Sequence, residues 1–201
     1  YGNTHGINAG YPSSRYSLSC MVIGSQDNDM QRDYAYTVDR QAPLLKSAAF
    51  VGQEAAKATV DRLGARKINT ANVPVLFHKD LASSLFGHYV GAISGGSLYR
   101  RSSFLLDSLD KQVFPEWMNI EEKPLIKSGL ASSSFDNEGV SCSDMTIVDG
   151  GRLATYLYTT YSARKLNTVS NGHAGGIHNW IVGDTGHSDA DLLKEMGTGL
   201  F

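Results

Sequence analysis

The spacing of apolar residues changes period along this chain, and that change most limits the folds it can form. Residues 14–24 and 30–40 alternate around a polar turn region, which is typical of a β-hairpin. An alanine-rich stretch over 47–63 then carries apolar residues at helical spacing, with Ser47 as the expected N-cap. Strand and helix patterns do not alternate as βαβ units. The chain therefore predicts an α+β fold with a mixed and antiparallel sheet and packed helices.

The second part of the chain continues this mixture of strands and helices. The patterns first predict a buried strand over 71–80, then a helix over 80–94 that ends at Gly95 and Gly96. Two strands follow, over 140–148 and 152–159, joined by the turn Asp149-Gly150-Gly151. The last predicted elements are a glycine-rich loop over 171–180 and a capped helix over 188–199.

A polar segment, KINTAN, separates the first hairpin and helix from the rest. We expect a boundary there, with a hairpin-plus-helix segment over 1–68 and a second domain over 69–201. The chain begins at Tyr1 without methionine and stops at Phe201 directly after a glycine-ended helix. We therefore expect an excised part of a longer protein, with both domains incomplete.

Charge and cysteine content exclude several classes of protein. A formal net charge of −2 and a pI near 6.3 provide no basic field, so direct nucleic-acid binding is not expected. Cys20 and Cys142 belong to no C-x-x-C pair, which favours reduced thiols. No signal peptide or membrane-length apolar run is present. The expected location is the cytoplasm, with no membrane partner.

The segment LFGHYVGAISGGSLYRR, residues 85–101, holds the first candidates for chemistry. Zinc peptidases place two histidines one helical turn apart, with a glutamate beside the first to activate water. His88 has no second histidine within five residues, which favours a packed or hydrogen-bonded residue over a metal ligand. Arg100 and Arg101 could hold a carboxylate, or could form a solvated basic pair.

Two further pairs of residues are candidates. Asp136 and Glu138 are separated by one residue, a spacing that suits acid/base chemistry or a hard cation, although a turn aspartate more often bonds its own backbone. His173 and His178 could bind a metal from the glycine-rich loop, but no acid or cysteine lies between them. No G-x-S-x-G motif frames a nucleophilic serine.

Long blocks of the chain resemble the TldD/PmbA family over essentially its whole length. The blocks include GYPSSRYSLSC, DMQRDYAYTVDR, the stretch from LFGHYVGAISGG to VFPEW, GLASSSFDNEGV, NGHAGGIHNW and LKEMGTGL. The resemblance implies a bacterial cytoplasmic protein that pairs with a TldD-like subunit, forming a peptidase for unfolded or modified peptides such as microcin precursors. The family also carries the label of a modulator of DNA gyrase.

In TldD-like members, the catalytic helix carries His-Glu-x-x-x-His, and a later cysteine completes a zinc site. The equivalent window here looks degenerate, and the aligned positions are Phe86, Gly87, His88, Val90, Gly91 and Ala92. The resemblance therefore predicts no metal ligand or catalytic residue in this chain, and zinc in the TldD-type partner.

Three functions remain open. The first is a non-catalytic subunit of the peptidase complex, for which the expected peptide-contacting residues are Arg100, Arg101, Asp136, Glu138 and His173. The second is an independent zinc metallopeptidase that uses His88, His173 and His178 as ligands. The third, a gyrase-related regulatory or binding protein, is disfavoured as a DNA binder by the acidic charge balance.

Overall fold

A computed structural model describes residues 1–201, which form two compact units. One unit comprises 10–71, and the other combines 1–9 with 72–201. The predicted α+β class is confirmed: the chain contains five α-helices and two antiparallel sheets. None of the helices has both the length and the apolarity that crossing a membrane requires.

The smaller unit contains the predicted hairpin and helix. Strands β1 (Tyr16–Gln26) and β2 (Asp29–Asp39) pair in antiparallel register, followed by a 3-10 turn over Ala42–Leu44. Helix α1 (Ala48–Asp61) begins at the predicted cap, because the Ser47 hydroxyl accepts a hydrogen bond from the Phe50 amide at 3.2 Å.

The hairpin presents its larger apolar residues to solvent and its smaller residues towards α1. Met21, Ile23 and Tyr34 are 62%, 66% and 60% exposed. On the opposite face, Thr59 of α1 bonds the backbone of both strands, and its methyl lies 3.1 Å from where a Gly24 Cβ would be. A small residue is therefore needed at that contact.

The larger unit is built around a four-stranded sheet in the order β5-β4-β3-β6. Its remaining elements, in chain order, are α2 (Lys79–Ile93), α3 (Gly95–Tyr99), β3 (Ile120–Glu122), β4 (Met145–Asp149), β5 (Arg152–Leu153), α4 (Thr160–Lys165), β6 (Trp180–Val182) and α5 (Asp189–Met196). The core packs α2 and α3 against the sheet, with Ile93, Ile120, Ile147 and Leu153 fully buried.

Several local expectations are wrong. Residues 71–78 are not a buried strand: they are almost all exposed, and only Val75 forms a bridge, with Leu200. Gly95 and Gly96 do not end a helix, because Ser94 turns to extended geometry and both glycines begin α3. The strand expected over 152–159 stops at Leu153. Thr159, at the end of that range, instead caps α4, a helix that the pattern did not predict.

Candidate functional site

Helix α2 carries the six positions that correspond to the degenerate window. Its buried face consists of Tyr89, Ala92 and Ile93, whereas Phe86 and Val90 pack at the edge of the core. His88 is exposed, as are Ser84 and Gly91, its neighbours four residues before and three residues after it on the same helical face. No carboxylate or second imidazole shares this face, so His88 has no partner there for binding a cation.

The two arginines that follow α3 remain at the surface. The guanidinium of Arg100 lies 5.3 Å from the ring centre of Tyr99. The side chain also folds back over Gly96, so that a Cβ added to this glycine would lie 3.5 Å from the guanidinium nitrogens. Arg101 adopts a left-handed backbone conformation with φ of 57° and is exposed. Both charges are therefore accessible to a ligand.

Asp136 and Glu138 use their carboxylates inside the chain. Asp136 is 5% exposed and accepts hydrogen bonds from the backbone amides of Glu138, Val140 and Ala174, at 2.8 to 2.9 Å. Glu138 accepts a bond of 2.7 Å from the Thr160 amide at the start of α4. These carboxylates therefore connect loops rather than face an open cleft.

A buried polar network joins strand β3 to the glycine-rich loop. The carboxylate oxygen Oε1 of Glu122 lies 3.0 Å from Nε2 of His173 and 2.7 Å from Nδ1 of His178. The other oxygen, Oε2, accepts a bond of 2.6 Å from the indole of Trp180. The side chains of Glu122, His173 and His178 are only 1%, 2% and 8% exposed. The predicted histidine pair is thus brought together, by a glutamate that the sequence patterns did not identify.

The neighbouring amide of Asn171 fixes the protonation of His173. Its Oδ1 accepts from the Tyr158 amide at 2.7 Å, and its Nδ2 donates to the Tyr156 carbonyl at 2.8 Å, so the amide cannot be reversed. Nδ1 of His173, which lies 2.9 Å from that Oδ1, must therefore donate.

The pKa of Glu122 establishes the charge in the network. Burial alone would raise this pKa, but hydrogen bonds from His173, His178 and Trp180, together with the charge on His173, lower it to about 2. The carboxylate is therefore ionised at neutral pH. The contact with Nε2 of His173 therefore places an imidazole of the glycine-rich loop directly against a buried carboxylate.

Cys142 extends the network in an arrangement resembling a nucleophile, base and acid. Its Sγ lies 3.3 Å from Nε2 of His178. However, burial, together with the negative charges of Asp136 and Glu122, raises the pKa of Cys142 to about 11. The sulfur also faces the carbonyl of Gly172 at 3.6 Å. The group is therefore a thiol at neutral pH, and it is not an activated nucleophile.

The donor types of this network would suit zinc, and their three ligand atoms lie within 4.8 Å of one another. A tetrahedral zinc with ligands at about 2.0 to 2.1 Å would separate neighbouring donor atoms by about 3.3 Å. The observed 2.7 and 3.0 Å from Glu122 to the two histidines are direct hydrogen bonds instead. The residues fit a closed hydrogen-bonded network and do not fit a metal centre. His88 is not part of it.

Comparisons with known proteins agree with the architecture. Residues 1–63 match the PmbA/TldA metallopeptidase central domain, and residues 70–201 match the C-terminal domain of the same description. The chain is 52% identical to Metalloprotease PmbA of Escherichia coli O157:H7, covering 100% of this chain and 44% of that protein. It is also 52% identical to a Metalloprotease PmbA homolog of Haemophilus influenzae, with 100% and 45% covered.

Solved structures share the fold. A Bacteroides thetaiotaomicron protein, described as a candidate modulator of DNA gyrase, matches with a TM-score of 0.88 at 23% identity, covering 98% of this chain and 44% of that chain. TldE from Thermococcus kodakarensis matches with a TM-score of 0.64 at 17% identity, covering 90% and 43%. The chain spans less than half the length of the curated relatives it matches.

Proposed function

This chain belongs to the TldD/PmbA metallopeptidase family, and we propose that it forms part of a non-catalytic subunit of a peptidase complex. In this proposal, a TldD-like partner carries His-Glu-x-x-x-His and supplies the zinc. The substrates are unfolded or modified peptides, such as microcin precursors, and the complex acts in the cytoplasm.

The exposed face of α2 carries the proposal. The His-Glu-x-x-x-His helix of TldD-like members places two imidazoles on one helical face, with a glutamate to activate water. His88 shares its face with Ser84 and Gly91, so neither a second imidazole nor a carboxylate lies beside it. The same helix buries Tyr89, Ala92 and Ile93 in the core, so its role in this chain is packing.

An independent metallopeptidase built from His88, His173 and His178 receives no support from the geometry. His173 and His178 are buried, and each uses one ring nitrogen in a hydrogen bond to Glu122, whereas His88 is exposed on α2. Cys142 does not provide an alternative nucleophile, because its pKa is raised to about 11. No general base faces an open cleft in this set.

The proposed peptide-contacting residues divide into two groups. Arg100 and Arg101 are exposed and free to bind a substrate. Asp136, Glu138 and His173 already bond groups within the chain, so we propose that they shape the loops around the bound peptide. A ligand would have to break those bonds before it could use the side chains directly.

Metal content and hydrolysis, measured with and without the partner, test the proposal. The full-length protein that contains this chain is purified alone and after co-expression with a TldD-like subunit. We expect zinc and peptide cleavage only in the complex, and neither to change in His88→Ala. Tightly bound zinc or cleavage by this protein alone would refute the proposal, as would loss of zinc from the His88→Ala complex.

A further inference from the structure

Two short helices of the larger unit meet at a glycine. A Cβ on Gly95 would lie 2.4 Å from the Ser162 hydroxyl oxygen and 3.0 Å from the Tyr158 ring. Only glycine therefore allows α3 to approach α4 this closely. The Gly95 amide also donates to the Leu157 carbonyl at 2.7 Å, which anchors the start of α3 beside the start of α4.

Aromatic side chains connect the outer surfaces of these helices. The rings of Tyr99 and Tyr161 make an edge-to-face contact, with centres 5.6 Å apart. Arg100 lies over Tyr99 at 5.3 Å, and the ammonium of Lys165 lies over Tyr161 at 5.6 Å. Tyr161 is 49% exposed. The pair of rings therefore forms an accessible surface with a cation held over each ring.

Further positive charge adjoins this pair. Tyr161, Arg164 and Lys165 share one face of α4 through their helical spacing, and Arg101 follows Arg100 directly. We call Tyr99, Arg100, Arg101, Tyr161, Arg164 and Lys165 the basic-aromatic patch. Its four cations form no ion pair, although the whole chain carries a net charge of −2. Glu138, which contacts α4, is bonded to the Thr160 amide.

Helix stabilisation explains only part of this arrangement. Arg164 and Lys165 in the last turn of α4 favourably oppose the partial negative charge at its C-terminus. That effect accounts for neither the arginine pair after α3 nor the contact between the two tyrosines. Arginine and tyrosine are the residue types that most often supply binding energy at protein interfaces, because they combine apolar area with donors.

We propose that the basic-aromatic patch binds an acidic segment of a peptide. Carboxylates of that segment pair with the four cations, and its apolar groups lie on the two tyrosine rings. This inference rests on the proposed function and names a substrate class for it. The helices are only five and six residues long, about 8 to 9 Å each, which matches about three extended peptide residues.

The size of the patch favours a peptide over nucleic acid. Proteins that bind duplex DNA tightly neutralise about six to ten phosphates, and four cations on two short helices cannot do so. The chain as a whole carries a net charge of −2, so it adds no long-range positive potential to these four cations. A short acidic peptide requires only a few charge pairs.

Binding to the full-length protein alone, without partner or zinc, tests the inference. The probe is a fluorescein-labelled peptide that alternates glutamate with leucine, and the matched probe replaces each glutamate by glutamine. We expect the acidic peptide to bind more tightly, and its affinity to fall as salt is raised. The double variant Arg100→Gln/Lys165→Gln should weaken binding about five-fold.

A matched variant controls for the loss of charge. Arg66→Gln/Lys67→Gln removes two exposed cations from the other unit and should leave the affinity unchanged. Equal binding of the glutamine peptide, or equal loss in both double variants, would overturn the inference. So would a 20-base-pair duplex that binds as tightly as the acidic peptide. Because no hydrolysis is measured, the result is independent of whether the zinc and cleavage experiment succeeds.

Discussion

Replacing Glu122 by glutamine tests the buried network most directly. The ionised carboxylate accepts bonds from His173, His178 and Trp180 at 3.0, 2.7 and 2.6 Å. Glutamine keeps the size of the side chain but converts one acceptor oxygen into a donor. The substitution therefore removes the negative charge and changes the hydrogen-bonding pattern in a site that is 1% exposed.

The pKa of Glu122 gives the magnitude. It falls from 4.5 to about 2 on folding, because the three N–H donors outweigh the cost of burial. A group with a lower pKa in the folded state stabilises that state above its unfolded pKa, and the contribution is lost as pH falls towards its folded pKa. A shift of this size corresponds to about 3 kcal/mol, lost between about pH 4.5 and pH 2.

Urea unfolding of the full-length protein from pH 2 to pH 7 measures this contribution. At pH 7, Glu122→Gln should lower the free energy of unfolding by about 3 kcal/mol, because the contribution of the ionised carboxylate is lost. The difference between the two proteins should shrink as pH falls, since Glu122 becomes neutral as well. If glutamine prevents folding, Trp180→Phe removes one donor and should cost about 1 kcal/mol. Parallel pH profiles for wild type and variant would refute the reasoning.

Three further changes have defined outcomes. Gly95→Ala should lower the free energy of unfolding by about 1 to 3 kcal/mol, because the added Cβ meets Ser162. Its control, Gly91→Ala on the open face of α2, should raise the free energy of unfolding by up to about 1 kcal/mol. A larger loss of stability in Gly91→Ala than in Gly95→Ala would contradict this. Ser47→Ala should destabilise by about 1 kcal/mol through loss of the α1 cap, measured by urea unfolding, and Ser25→Ala, an exposed strand serine, serves as its control. The pKa of Cys142 is raised to about 11, so this thiol should react with a thiol reagent at pH 8 only after unfolding. The test uses Cys20→Ser, which removes the other cysteine of the chain, and rapid labelling of this variant in its native state would show that Cys142 is not shielded.

Local signals predicted the elements whose hydrogen bonds lie close in sequence. The hairpin and α1 follow from alternation, a polar turn and the Ser47 cap, each decided within a few residues. Alternation alone could not show which face of the hairpin is exposed, and Tyr34 and Tyr36 of β2 lie on the exposed one. That depends on α1 covering the side of small residues, which is a tertiary contact.

The network was beyond prediction because its members are distant along the chain. Glu122 is 51 residues from His173 and 56 from His178, and nothing in its local sequence distinguishes it from the exposed Glu121. The pairing of β3 with β6 sets which of the two glutamates is buried beside the loop. Helix α4 was not predicted either, because its six residues are too few to show a helical period in the sequence.

The glycine-rich loop over 171–180 has a consequence for how folding can be followed. It is attached by Asp136 through the Ala174 amide, by Glu122 through both histidines, and by the Tyr158 amide through Asn171. These three anchors come from separate parts of the chain, and releasing them would expose the loop backbone to a protease of broad specificity. Limited proteolysis at this loop would therefore report, at a single site, whether these three segments of the larger unit have come together.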